Sequence, residues 1–261
     1  MRRMKRALKI IGLVVVVLVI AVVGLLAATF MGRQSVTDGI DVGGMRVVAD
    51  GIVSVALIPL SAREVALVDA GNDKSGKAIV AELRRRQLGP DAVTTILITH
   101  GHPDHIGGAS MFPKAQIVAL AAEAPLIEGR AGAKGPVPRL FPVSPPGIVV
   151  TRPVADGDTF MLGSHRVRVF AAPGHTQGSA AYLVDDVLFM GDAADASSDG
   201  AVIGAPWLFS DSQPMDRASV AALGKRLARE HEPVTSIVFS HSGVLAKGLA
   251  PLDAFAAANA N

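Results

Sequence analysis

A chain of 261 residues is long enough for one large domain or two small ones, and half of it is hydrophobic, with a mean hydropathy of +0.41. It holds no cysteine, which excludes a disulfide framework, thiolate metal ligands and a cysteine nucleophile. The sequence pI of 9.1 rests on five basic residues ahead of the first apolar run. Without them the 25 Lys and Arg fall to 20 against 23 Asp and Glu, so residues 10–261 are slightly acidic and offer no nucleic-acid surface.

Ile10 to Met31 contains 22 residues without a charge. At about 1.5 Å per residue a helix over this run is roughly 33 Å long, enough to cross a hydrocarbon core of about 30 Å. Arg2, Arg3, Lys5, Arg6 and Lys9 precede it, and Arg33 alone follows before Asp38. The positive-inside rule then puts the N-terminus in the cytoplasm and residues 32–261 outside it. A cleaved signal peptide is the alternative. Its apolar region is normally about 7–15 residues, and Ala27-Ala28-Thr29 is a poor cleavage site. The expected layout is a basic cytoplasmic segment over 1–9, a transmembrane signal-anchor helix over 10–31, a polar linker over 32–40 and one domain over 41–261.

Met45–Val48, Ile52–Leu60 and Val65–Val68 are rich in Val and Ile and bounded by Gly, Asp or Ser, so they read as strands. The third ends in Asp69-Ala70-Gly71. Lys74 to Leu88 has helical spacing, with Ile79, Val80 and Leu83 on one face, and Gly89-Pro90 stops it. Val93–Ile98 is a further strand. Ile117–Leu120 reads as a strand and Ala121–Ile127 as a short helix. Gly129 to Gly147, with five prolines and four glycines, reads as a loop. Thr159–Leu162 and Arg166–Ala171 form a hairpin across Gly163-Ser164, and Ala181–Val184 and Val187–Met190 form another across Asp185-Asp186. Ala193 to Gln213 is irregular. Pro214 to Glu230 is helical, with Pro214 at an early position. Ser236–Phe239 is the last expected strand, and Ala254 to Asn261 reads as a frayed end. Helices are too few to alternate strictly with strands; two packed sheets with helices outside satisfy the pattern.

The chemistry concentrates in Thr99-His100-Gly101-His102-Pro103-Asp104-His105-Ile106-Gly107-Gly108. Three of the seven histidines and one aspartate fall within six residues, directly after a strand. Three further strand ends deliver His175, Asp192 and His241. His165, in a hairpin, and His231, in the charged end of a helix, fall outside this pattern. In an extended loop residues i and i+2 point the same way, so His100 and His102 can grip one ion. Asp104 and His105 reach past them towards a second. A catalytic zinc takes a few ligands at about 2.0–2.2 Å and keeps one position open for water. Five imidazoles and two carboxylates exceed that need and suit two ions about 3.5–4 Å apart.

These residues resemble the metallo-β-lactamase superfamily, whose motif is His-x-His-x-Asp-His followed by distant His, Asp and His. The resemblance covers about residues 41–245, and the Asp69 turn, the Gly174-His175-Thr176-Gln177-Gly178-Ser179 segment and the Gly191-Asp192 strand end fall in the family's order. It implies an α/β (α+β) fold, a four-layer αββα sandwich of two mixed sheets with the metals at one edge. It implies His100, His102 and His175 on one metal, Asp104, His105 and His241 on the other, and Asp192 bridging both. Asp69 resembles the family's buried aspartate, which supports the metal loops. The implied cofactors are two divalent ions, zinc foremost, with iron and manganese accepted by the same donors. The implied activity is a metal-dependent hydrolase. Two cations stabilise a bridging hydroxide that attacks a carbonyl or phosphoryl centre, with Asp104 orienting it and moving its proton. Ser179 and Ser242 then only support turns.

The lack of cysteine excludes the zinc β-lactamase classes with Cys at the Asp192 position. A bridging aspartate resembles the glyoxalase II, lactonase, phosphodiesterase and ribonuclease Z branch. The tyrosine expected after it in acyl-homoserine lactonases is missing from Gly191-Asp192-Ala193-Ala194-Asp195; the only tyrosine, Tyr182, precedes it and reads as core. The leading expectation is cleavage of a small-molecule ester, lactone or thioester. The same site could open a β-lactam or phosphodiester. A single-iron oxidation of persulfides and a non-catalytic binding protein at the membrane are the other classes. Phe141, Trp207, Leu208 and Phe209, in the two irregular stretches, are candidates to wall an apolar substrate pocket.

Overall fold

Strands buried on both faces need near-continuous apolar runs, and the Val- and Ile-rich segments of this chain supply them. A computed structural model describes residues 2–144 and 147–259. They fall into two units, Met1–Arg33 and Gln34–Asn261. The first is one helix, α1 (Arg2–Phe30). Within it Lys9–Phe30, 22 residues, is long and apolar enough to cross a membrane, as a signal sequence also can be.

The second unit carries both sheets. Its first half runs β1 (Ile40–Val42), β2 (Met45–Asp50), β3 (Val53–Pro59), β4 (Val65–Val68), α2 (Lys77–Arg85), β5 (Val93–Leu97), α3 (Pro103–Ile106), β6 (Gln116–Leu120), α4 (Ala124–Ile127), α5 (Pro136–Leu140) and β7 (Arg152–Val154). The seven strands lie side by side in chain order, antiparallel from β1 to β4 and parallel from β4 to β7. The second half runs β8 (Thr159–Leu162), β9 (His165–Ala171), β10 (Ala180–Val184), β11 (Val187–Phe189), β12 (Ala194–Ala196), β13 (Val202–Gly204), α6 (Gln213–Arg229), β14 (Ser236–Val238), β15 (Val244–Leu245) and α7 (Ala250–Ala258). Its sheet has the order β15-β14-β11-β10-β9-β8, with β11 and β14 parallel and the other pairs antiparallel; β12 and β13 form a separate hairpin.

Alternation along the strands builds four layers. Ala56 and Ile58 of β3 join Tyr182, Val184 and Val187 in the core between the sheets. Val55 and Leu57, the alternate residues, pack with Ile79 and Leu83 of α2. Ala181 and Leu183 of β10 face Val220, Leu223 and Leu227 of α6 and Leu252 of α7. The Tyr182 hydroxyl donates to the Ile98 carbonyl, so the tyrosine is a core residue that also ties the sheets together. The αββα sandwich is the architecture expected from the resemblance.

Three expectations change. The stretch 129–147 contains α5, started by Pro136 after Gly135, although Pro145 and Pro146 lie outside the described residues. The stretch 193–213 contains the β12–β13 hairpin, whose small residues Ala194, Ala196 and Gly204 hide its strand character from a propensity reading. Ala254–Ala258 is helical because Leu252, Phe255 and Ala256 bury against α6, while Ala260 and Asn261 lie outside the described residues. The segment 32–40 is bonded to the domain from Gln34 on, whose amide donates to the Ala196 carbonyl at 2.9 Å.

Candidate metal centre

Parallel strands put their carboxyl ends on one edge, and that edge is where the site assembles. β4, β5 and β6 run the same way, and so do β9, β11 and β14. Asp69 follows β4, the His100 motif follows β5, Glu123 follows β6, His175 follows β9, Asp192 follows β11 and His241 follows β14.

His100 follows β5 outside any helix, His102 is in extended backbone, and α3 begins at Pro103. That helical turn swings Asp104 and His105 away from the line of the first two histidines, which divides the motif into two ligand sets. His102 Nδ1 lies 3.1 Å from His100 Nε2 and 2.9 Å from His175 Nε2. The three ring centroids stand 4.7 Å apart pairwise with near-perpendicular planes. On the other side His241 Nε2 lies 3.1 Å from Asp104 Oδ2, and His105 Nε2 lies 3.9 Å from the same oxygen. Asp192 stands between the sets. Its Oδ2 is 3.1 Å from His241 Nε2 and 3.5 Å from His175 Nε2, and its Oδ1 is 3.2 Å from His105 Nε2. All seven residues expected from the sequence come together. Three overlapping groups could each hold an ion: His100, His102 and His175; His100, His105 and Asp192; Asp104, His105 and His241.

The far ring nitrogens are held from behind. His105 Nδ1 bonds Asp69 Oδ2 at 2.8 Å, His241 Nδ1 donates to the Ile52 carbonyl at 2.7 Å, and His175 Nδ1 meets Ser210 Oγ at 3.2 Å. Asp69, in left-handed backbone with φ of 60°, also accepts the Thr99 amide and hydroxyl at 2.8 Å each. Ser179 Oγ accepts the Thr176 amide, and Ser242 Oγ accepts the Ala196 amide while donating to Asp195. Both serines support loops. Glu123 and Asp216 carry no motif spacing and escaped the sequence reading. Glu123 accepts the Gly101 and Gly178 amides, and Asp216 lies buried under the His175 loop.

Burial pushes His100 well down and His175 to about 3, and the neighbouring imidazoles push the same way. Burial also lowers His102. Burial pulls on His105 and His241 too, but Asp192, Asp69 and Asp104 raise His105 to about 10, and Asp192 and Asp104 raise His241 to about 11. Asp104 is held at about 2, because His105 and His241 outweigh its burial.

This donor set suits divalent cations. His102 Nε2 is buried without a hydrogen-bond partner, and His105 Nε2 and Asp192 Oδ1, although 3.2 Å apart, are not aligned into a hydrogen bond, a costly arrangement for buried polar atoms. Neutral imidazoles and carboxylates are the ligand types zinc, iron and manganese accept. Of the expected pocket residues, Leu208 is core, Phe209 is half-buried, and Trp207 and Phe141 are exposed.

A family model described as the metallo-beta-lactamase superfamily matches residues 48–241. A hydroxyacylglutathione hydrolase of Vibrio cholerae serotype O1 is 35% identical over 144 residues, 54% of this chain and 46% of that protein. Metallo-beta-lactamase domain-containing protein 1 of Xenopus laevis is 28% identical over 166 residues, 61% of each. This chain thus spans about half the length of the hydroxyacylglutathione hydrolase it matches. Among solved structures, a subclass B3 metallo-beta-lactamase of Bradyrhizobium japonicum superposes with a TM-score of 0.64 at 19% identity, covering 89% of this chain and 94% of that one. At that identity the likeness speaks for the fold.

Proposed function

The chain belongs to the metallo-β-lactamase superfamily, and from that premise we propose that it is a hydrolase of small-molecule esters, lactones or thioesters working with two divalent cations, zinc foremost. The observation that carries this reading is the convergence of seven ligand-type side chains with three orphaned buried atoms among them. His100, His102 and His175 would hold one cation, Asp104, His105 and His241 the other, with Asp192 shared. When bound, paired cations supply a water acidified towards a pKa of about 7 and polarise the attacked oxygen. Asp104 is the acid of the set most open to solvent, 23% exposed, and it stays ionised. It can therefore accept a hydrogen bond from a water beside His241 and take up its proton at Oδ. Asp69 fixes the ring of His105 from behind, and Ile52 fixes that of His241. The proposed layout is a basic segment over 1–9, an anchor helix over 10–31 with its N-terminus cytoplasmic, a linker over 32–40 and a catalytic domain over 41–261. The relatedness to hydroxyacylglutathione hydrolases supports thioesters as the first substrates to try.

The test is elemental analysis of the purified chain followed by a screen of thioesters, lactones, esters, β-lactams and phosphodiesters. Two zinc ions per chain with turnover of an acyl substrate is the expected result. One iron per chain with oxygen uptake, or hydrolysis confined to β-lactams or phosphodiesters, would overturn it.

A further inference from the structure

Glu123 is a buried acid that pairs with no Lys or Arg among the described residues. It is 1% exposed, between β6 and α4. Its Oε1 accepts the Gly101 amide at 2.7 Å, and its Oε2 accepts the Gly178 amide at 2.8 Å. The Thr176 hydroxyl, in the same loop as Gly178, meets Ser179 Oγ at 2.8 Å instead. Gly101 sits between His100 and His102, and Gly178 is three residues past His175. One carboxylate therefore joins the two loops that carry the three-histidine set. The other buried glutamate of the first half, Glu82, contrasts with it: Arg85 and Arg86 neutralise it at 3.0 Å each.

The residue type matters. An ionised carboxylate offers two acceptor oxygens and no donor, so it can take one amide on each. Glutamine has a single oxygen; its amide nitrogen would face one of the two N–H groups, donor against donor. Aspartate is one methylene shorter and cannot span both loops. The glycines belong to the same arrangement. A Cβ at Gly101 would meet the Ile127 amide nitrogen at 2.9 Å, and one at Gly178 would collide with the backbone nitrogen of Glu123. The two loops thus press against α4, Gly101 at its end and Gly178 just before its start, closely enough for the carboxylate to reach them.

We propose that Glu123 is a positioning residue for the cation held by His100, His102 and His175, setting its affinity by fixing the two loops in register. This rests on the metal-binding reading above. Partners behind metal ligands typically change affinity by about 10–100-fold when removed, and Glu123 acts on two ligand loops at once.

The experiment is zinc binding by chelator competition on the full-length chain in detergent, for wild type, Glu123→Gln and Glu82→Gln, with thermal midpoints measured beside it. Glu123→Gln should weaken one zinc by about 10–100-fold and leave the other within about threefold. In a His241→Ala background, which disables the other set, the remaining zinc should show the same loss. Glu82→Gln should lower the midpoint and leave both affinities unchanged. If wild type loads two zinc ions and Glu123→Gln binds both as tightly, the inference is overturned and the metal centre stands. If wild type takes up no divalent ion, both fall. Should Glu123→Gln fail to fold, Glu123→Asp decides: it keeps the charge but is too short to hold both amides, so it should weaken the same zinc by about 10-fold, and unchanged affinity would overturn the proposal.

Discussion

The two ligand sets are built from the same ring and given opposite electrostatics. His100, His102 and His175 are at most 6% exposed, and burial outweighs the pull of Asp192 and Asp104, so all three imidazoles are held neutral. His105 and His241 stand among Asp69, Asp104 and Asp192 and are pushed to about 10 and 11. The first set is closed; the second opens to solvent at Asp104 and His241, 23% and 14% exposed. The acids around His105 and His241 favour a proton on each ring in the metal-free chain, and a cation would have to displace those protons to bind there. A closed neutral nitrogen cradle suits firm binding. An open, acid-lined set suits a place where water and substrate arrive.

The largest test of this contrast is Asp104→Asn. Losing a proton-moving carboxylate on the open side should lower kcat by about 10²–10⁴. The three-histidine set should keep its ion, since none of its ligands is touched. Full activity in the variant would remove Asp104 from the mechanism. Loss of both ions would show that the two sets are one cooperative unit.

Asp216 tests the closed side from behind. It is fully buried in the first turn of α6, with one oxygen accepting the Ala205 amide at 3.0 Å and Oδ1 unpartnered. Gly174, beside His175, approaches its backbone so closely that no Cβ would fit. Burial raises this carboxyl to about 7, with Asp192 adding to the rise against the pull of the Ala205 amide and Arg217. The unfolded chain ionises near the ordinary aspartate value of 3.8, while the folded chain keeps the proton to about 7. Folding stability should therefore fall as pH rises from about 4 to 7 and level off above, by at most about 4 kcal/mol at 1.36 kcal/mol per pK unit. Asp216→Asn removes that slope, so its thermal midpoint relative to wild type should improve from pH 5 to pH 8. A pH-independent difference would contradict the assignment.

Asp69→Asn sharpens the open side. It weakens the bond to His105 Nδ1 and one of two bonds to Thr99. Affinity for the ion of the second set should drop by about 10–100-fold, with the three-histidine set less affected. Zinc titration reads both. Equal weakening of the two would mean that Asp69 acts on the whole edge through Thr99, which also contacts His100 at 3.1 Å.

How much of this was legible depends on where each residue stands in the chain. The seven ligand-type residues each follow a Val- or Ile-rich strand or lie in one dense motif, so pattern and place coincide. The division of the motif was reachable too, although its physical cause, the helical turn begun by Pro103, was read as extended loop. Glu123 and Asp216 were not reachable: a lone carboxylate makes its meaning through amides 22 and 55 positions away, or through a glycine from another loop. β1 and β7, three residues each, are strands because neighbours pair with them, and three residues set no period. The C-terminal helix is held by packing rather than by its own Ala- and Asn-rich sequence.

The smallest expected effect lies outside both sets. Trp207 is 48% exposed, on the segment whose Ser210 supports His175 and whose Leu208 carbonyl accepts the Val137 amide in the first turn of α5. Phe141, at the end of α5, is 71% exposed. Covering the open part of such side chains with an apolar acyl group is favourable at about 25 cal/mol per Å², so truncation should cost about 1 kcal/mol of binding. Trp207→Ala should raise KM by about 3–10-fold and leave kcat and zinc content unchanged, because contact made equally in ground and transition states appears in KM alone. As the only tryptophan, Trp207 also reports directly: its fluorescence should shift on binding a substrate analogue. Unchanged kinetics across esters, lactones and thioesters would confine recognition to the metal edge itself, and the contrast between the closed and open sets would then have to account for specificity as well as chemistry.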